Sequence, residues 1–395
     1  MSRTTPKQVL RNRSLASLVC AWVAIGAACG DGNAVNDVDL AELFEPGTHV
    51  VGYQQATTTY SRAGTGEPRA LAMSLWYPAS DDAPQGFAEY TTGGAISIPS
   101  TVALVSPAVA EGGPFPVVVY SHGAGGEAQH AYPYAEFLAS HGFVVISPEH
   151  PGTTIADLGE NYSAFERWIL DRPADITASL DWLENPTLPE IAGRTDTSQV
   201  GLIGFSMGAN GGYMLGGAEL DREALRAACS PQDCPLLHVP EVDPAYAALA
   251  DSRIVAHIAQ APGGHPSMDA VSLEGYRIPT MLQVGRLDAS VSVEARSVPL
   301  WEAAGASEDV WVEMPRGAHL TFLPTCRDVP ADLLAALLPT AADDGCGGAF
   351  VPIDVALDGL AGYAHAYLRI HLLDEPRWEP ALDAPLRDGF EARPR

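Results

Sequence analysis

The chain has 395 residues, 47% hydrophobic and 18% charged, a composition that excludes a disordered chain, a coiled coil and a collagen-like repeat. Four of its 22 Lys and Arg residues (Arg3, Lys7, Arg11, Arg13) precede the first acid, Asp31, which leaves 18 bases facing 49 acids beyond that point. A polyanion of that size is repelled by phosphate backbones, so nucleic acid is excluded as a partner.

The early positive charges run into the apolar stretch 15–28 (LASLVCAWVAIGAA), which has the length of a signal-peptide core and falls short of a bilayer span. It ends in Gly26-Ala27-Ala28-Cys29, followed by the polar GDGNAVNDVD. That pattern is similar to a bacterial lipoprotein cleavage site, with Gly26 where Leu is usual. Residues 1–29 therefore read as a signal peptide with Cys29 as the lipidated residue, and 30–45 as a flexible tether; ordinary cleavage near Ala28 is the alternative. Either route exports the chain, and the membrane is met only through the N-terminal lipid anchor.

A catalytic domain is expected over 46–374, with 375–395 as a C-terminal tail. It opens with two strand-like runs, around 49–53 and 71–77, that suit an antiparallel pair. Residues 79–114, punctuated by Gly and Pro, read as an irregular stretch wrapping the surface. From there the pattern is regular: strand 116–120 (PVVVY), helix 132–140, strand 143–147 (FVVIS), helix 172–183 and strand 199–204 (QVGLIG). Continuous Val/Ile runs separated by helices indicate parallel strands covered on both faces. The acidic, cysteine-bearing segment 218–250 interrupts the alternation as an inserted cap. Strands 253–260, 279–285 and 310–314 follow, the last two bracketing a helix over 293–303, and a final helix spans 353–373. The fold class expected is α/β, an open and mostly parallel sheet with helices on both faces.

Beyond Cys20 in the signal and Cys29, four cysteines remain: Cys229, Cys234, Cys326 and Cys346. An even number suits an exported chain. Three pairings are open, and the short loop shared by the first two and the insertion flanked by the last two favour the local bridges Cys229 to Cys234 and Cys326 to Cys346. The spacing lacks the paired knuckles of a zinc site. No metal or cofactor is expected.

The motif that carries chemistry is Gly204-Phe205-Ser206-Met207-Gly208 between a strand and a helix. A reversal this tight leaves no room for side chains two residues before and after the serine, and it lifts the hydroxyl out of the turn. A serine hydroxyl needs an imidazole to take its proton and an acid to orient that imidazole, in the chain order Ser, Asp/Glu, His. His319, in Gly317-Ala318-His319 just after the last parallel strand, is the candidate base. His257 lies inside a strand, and His365 and His371 on the last helix read as packing or surface residues. Asp288, at the end of QVGRLD, is the candidate acid, with Asp269 as competitor. For the oxyanion, the backbone N–H groups of Met207 and of Ala124 in Ser121-His122-Gly123-Ala124-Gly125-Gly126 are the candidate donors. His122 reads as a residue that orients this loop. Glu149-His150-Pro151-Gly152 follows a strand at the same edge and is expected to line the pocket. Trp168, Trp182, Trp301 and Trp311 read as core aromatics.

From about 46 to 373 the chain resembles the α/β-hydrolase superfamily, and more narrowly the dienelactone-hydrolase-like and platelet-activating-factor-acetylhydrolase-like bacterial esterases. The stretches that carry the likeness are LWYPA, FPVVVYSHGAGG, HGFVVISPEHPGTT, DRPADI, VGLIGFSMG, RIVAHIAQAPGG, VGRLDASV and GAHLTFLPTC. The resemblance implies Ser206 as nucleophile, Asp288 as acid, His319 as base, and Ala124 and Met207 as oxyanion donors. Two departures limit what carries over. Dienelactone hydrolases proper use cysteine where this chain has Ser206, and the animal acetylhydrolases place their acid where this chain reads Ala261-Pro262.

The reading is thus an exported, monomeric serine esterase that cleaves small or polymeric carboxylic esters through an acyl-enzyme. A polyester or phospholipid hydrolase with the same triad is the alternative, followed by a surface lipoprotein whose hydrolase fold serves only binding.

Overall fold

The computed structural model describes residues 40–80, 86–159, 163–263, 271–274, 276–383, 385 and 387–395. The expected signal peptide, Cys29 and most of the tether lie outside the described residues, as does Asp269. Among the described residues eleven strands form one sheet: β1 (Val50–Ser61), β2 (Pro68–Ala79), β3 (Phe87–Thr92), β4 (Ile96–Val105), β5 (Phe115–Ser121), β6 (Val144–Pro148), β7 (Thr195–Phe205), β8 (Ile254–Gln260), β9 (Thr280–Gly285), β10 (Val310–Met314) and β11 (Glu391–Pro394). Their spatial order is β11-β10-β9-β8-β7-β5-β6-β2-β1-β4-β3. The six strands from β6 to β10 run parallel, and antiparallel β2 joins them at β6. Their carboxyl ends therefore share one edge, where an open α/β sheet gathers its ligand-binding residues.

Alternation along each strand feeds two hydrophobic layers. Val118, Tyr120, Val145, Ile203 and Ile258 face one side and pack with Leu138 of α1 (Tyr132–Ser140) and Leu360 of α5 (Ile353–Leu373). Val117, Val119, Val144, Ile146, Val200 and Leu202 face the other and meet Ile176, Leu180 and Leu183 of α2 (Phe165–Glu184). Further along that face, Leu282, Val284 and Trp311 pack with Tyr213 of α3 (Met207–Leu215) and Leu300 of α4 (Val298–Ala303). Each large apolar side chain so enclosed contributes about 1.5–3 kcal/mol.

Four features differ from the sequence expectation. Residues 79–114 do not merely wrap the surface: β3 and β4 form a hairpin that extends the sheet. Ala88, Tyr90 and Thr92 point inward between exposed neighbours, and Gly93-Gly94, both with positive φ, supply the turn that two antiparallel strands demand. Helix α2 starts at Phe165 rather than at Arg172, because the turn ahead of Pro173 is held by buried Trp168, Ile169 and Leu170. At the C-terminus, Glu391–Pro394 pairs with β10 as an edge strand, a position where proline's missing N–H leaves no ladder bond unmade. Leu40–Leu43 is a 3-10 turn with Leu43 fully buried, so this end of the expected tether is docked on the domain.

The insertion is a run of short helical turns. Its Leu225, Cys234, Leu237, Val242 and Tyr246 pack against Trp168, Ile169 and Leu170 of α2 and Met207 and Met214 of α3. Both local disulfides are present, Cys229 to Cys234 and Cys326 to Cys346. Trp168, Trp182 and Trp311 are buried, and Trp301 stacks edge-on against Trp311.

Candidate active site

Ser206 sits at the carboxyl end of β7, in the middle of the sheet, with φ 51° and ψ −113°. An L-residue rarely adopts that conformation, and it persists only where the surroundings fix it. Here the Ser206 N–H donates to the Gln260 carbonyl at 2.8 Å, and the Asn210 N–H returns to the Ser206 carbonyl at 3.2 Å. Both flanking glycines are required by space. A Cβ on Gly204 would lie 2.5 Å from the Ala209 nitrogen, and one on Gly208 would overlap the Ser121 carbonyl. The turn therefore lets α3 start directly over the end of β5, with Ser206 partly exposed above it.

His319 and Asp288 come from the loops after β10 and β9. Their strands lie side by side, and the loops touch because both carry glycine at the crossing: a Cβ on Gly285 would lie 2.6 Å from the Gly317 carbonyl carbon. His319 Nδ1 donates to Asp288 Oδ2 at 2.8 Å, with Asp288's side chain 1% exposed and that of His319 14%. This bond puts the proton on Nδ1 and leaves Nε2 as the acceptor. The His319 ring lies 4.9 Å from that of Phe205, the residue before Ser206. Among the described residues Ser206 Oγ has no hydrogen bond to His319; contacts of this kind commonly tighten only around bound substrate.

The loop after β5 faces the serine directly. A Cβ on Gly123 would sit 3.2 Å from Ser206 Cβ. Ala124 is exposed and its N–H has no partner among the described residues, whereas Gly125 donates to the Thr153 carbonyl and Gly126 to the Gly123 carbonyl. The Met207 N–H stands in the first turn of α3, directly after Ser206. The His122 ring is wedged between the carbonyl oxygens of Gly123 and Glu149, each 2.7 Å from a ring nitrogen. Burial and the Arg172 charge hold it well below the usual imidazole range.

His150 does not line a pocket. It is fully buried, and its ring joins Ser121 Oγ (2.9 Å) to Asp175 Oδ2 (3.0 Å). Arg69 grips Asp175 with two hydrogen bonds of 2.7 and 2.8 Å. Arg172 donates to the His122 carbonyl and to Thr153 Oγ1. This second Ser-His-Asp chain is closed to solvent, with Ser121 at 1% and the other two at 0% exposure, so it holds the glycine-rich loop from behind. Sequence reasoning missed it, although Arg172 and Asp175 stand within DRPADI. Glu149 is partly buried and accepts a hydrogen bond from the Ala128 N–H at 2.9 Å. Burial pushes its carboxyl up to about 7. His257 and His365 are buried and accordingly lowered.

Residues 94–156, which include the 121–126 loop but not Ser206, Asp288 or His319, match the family described as platelet-activating factor acetylhydrolase, isoform II. No curated protein matches the chain. Among the solved structures that match is a ferulic acid esterase from Streptomyces cinnamoneus, 20% identical, with a TM-score of 0.60 over 86% of this chain and 95% of that one. The chain has an α/β-hydrolase fold, and its likeness to the platelet-activating factor acetylhydrolase family lies in residues 94–156.

Proposed function

We propose that the protein is a serine carboxylic ester hydrolase working through an acyl-enzyme. The observation that carries this reading is the Asp288–His319 hydrogen bond beside a serine held on a strained turn. In the first half-reaction His319 Nε2 takes the Ser206 proton as Oγ attacks the ester carbonyl. The Ala124 and Met207 N–H groups receive the oxyanion, and His319 returns the proton to the departing alkoxide. In the second, water attacks the acyl-serine, His319 takes its proton, and the acid leaves as Ser206 Oγ recovers it. Asp288 keeps His319 in the tautomer that both halves need.

The chemistry needs only an ester carbonyl, so acyl preference is tested on p-nitrophenyl esters from acetate to long chain, with methyl ferulate included because of the solved neighbour. The reading expects turnover of at least one soluble ester; inactivity on all of them would overturn it. Export and lipidation at Cys29 are part of the proposal, supported by the N-terminal pattern and the two disulfides. Cys29→Ser should move the protein from the membrane fraction to the soluble one without changing kcat on a soluble ester.

A further inference from the structure

Asp344 lies outside every motif in the sequence, yet it touches both loops that carry His319 and Asp288. One carboxyl oxygen, Oδ1, accepts the N–H of Ala289 at 3.0 Å and the N–H of His319 at 3.1 Å. The other, Oδ2, accepts the hydroxyl of Ser290 at 2.6 Å. The Asp344 backbone carbonyl accepts the N–H of Leu320 at 2.9 Å. One buried residue, 5% exposed, thus fastens the residue after the proposed acid, the proposed base itself and the residue after the base.

The chain around Asp344 is built for that approach. Gly345 has φ +130°, and a Cβ there would lie 2.9 Å from the Thr321 nitrogen and 3.0 Å from Leu320 Cβ. Cys346 is bridged to Cys326, in the short helix that follows the His319 loop. The segment bearing the carboxyl group is therefore pinned beside the loop it holds.

We infer that Asp344 is the positioning residue that sets the distance and angle between Asp288 and His319, an inference that rests on the triad reading above. Two of its three side-chain bonds fix backbone N–H groups and the third the Ser290 hydroxyl, none of them the reacting groups, so its loss should act on the chemical step through geometry. A displacement of about 1 Å costs about a hundredfold in rate.

The test compares Asp344→Ala with Asp344→Asn in the purified protein on p-nitrophenyl acetate. The alanine removes both acceptor oxygens and with them all three side-chain bonds. The asparagine keeps Oδ1 for both N–H groups and turns Nδ2 toward Ser290 Oγ, which can accept. Asp344→Ala should lower kcat by about 10²-fold with KM within about threefold, and Asp344→Asn should return kcat to within about tenfold of wild type, the remaining gap reflecting the weaker neutral acceptor. The low-field proton resonance of His319 Nδ1–H reads the same geometry without turnover. It should broaden or shift in the alanine variant and survive in the asparagine one. Because Asp344→Ala can fail to fold, Ser290→Ala, which removes a single bond, is measured beside it and should lower kcat by a few-fold. A folded Asp344→Ala protein with wild-type kcat and an unchanged resonance would overturn the inference while leaving the triad standing. Full activity in Ser206→Ala would remove the triad reading itself.

Discussion

Gly208 is pressed against the backbone of Ser121: an added Cβ would overlap the Ser121 carbonyl and lie 2.9 Å from the His122 oxygen. The contact ties the helix behind the proposed nucleophile to the loop that offers the Ala124 N–H, so the two halves of the site keep one spacing. Gly208→Ala should force them apart. The expected outcome is a loss of about 1–3 kcal/mol in stability and about a hundredfold in kcat, read by thermal unfolding and by ester hydrolysis.

Asp288 is the proposed acid because it holds His319 Nδ1. Asp288→Asn presents an amide that no longer selects the tautomer, so kcat should fall by about 10³- to 10⁴-fold. Asp269→Asn should change it by less than about threefold if Asp288 alone orients the base. Steady-state kinetics on the two variants decide between them, and the opposite order would transfer the role to Asp269.

Much of this architecture was legible because the sequence carries the physical demand itself. Val117–Val119 and Val144–Ile146 are buried on both faces of the sheet, and such strands read as unbroken apolar runs. Gly204 and Gly208 announce the turn because no other residue fits. Asp288 and His319 could be read from their places after strands. The β3–β4 hairpin was hidden by its exposed faces and by Pro99, which make it look like loop. Asp344 left no trace, since its carboxyl group binds two backbone N–H groups, which every residue but proline possesses, and one serine hydroxyl. The buried Arg69–Asp175–His150–Ser121 chain spans residues far apart in sequence, and a pattern confined to neighbours does not reveal it.

Glu149 makes stability depend on pH. Its folded carboxyl titrates at about 7, raised first by burial and then by Glu127 and Asp157, whereas an unfolded glutamate titrates near 4.3. Between those values the folded chain binds the extra proton, so this group's contribution weakens as pH rises through the window, and the full cost is present above about 7. Glu149→Gln keeps an acceptor for the Ala128 N–H and carries no charge. It should raise stability at pH 8 by about 1–3 kcal/mol relative to wild type and have little effect at pH 4. Denaturant unfolding at both pH values checks this, and equal gains at both would refute it.

The central claim, that Ser206 becomes acylated by the ester, is tested most directly by trapping. Wild-type protein is treated with a fluorophosphonate, digested and mapped by mass spectrometry, while Ser206→Ala is assayed on p-nitrophenyl acetate. The account predicts one adduct, on the Ser206 peptide, and residual turnover in the variant below about 10⁻³ of wild type. An adduct on another residue, or a Ser206→Ala protein that hydrolyses the ester at the wild-type rate, would contradict it.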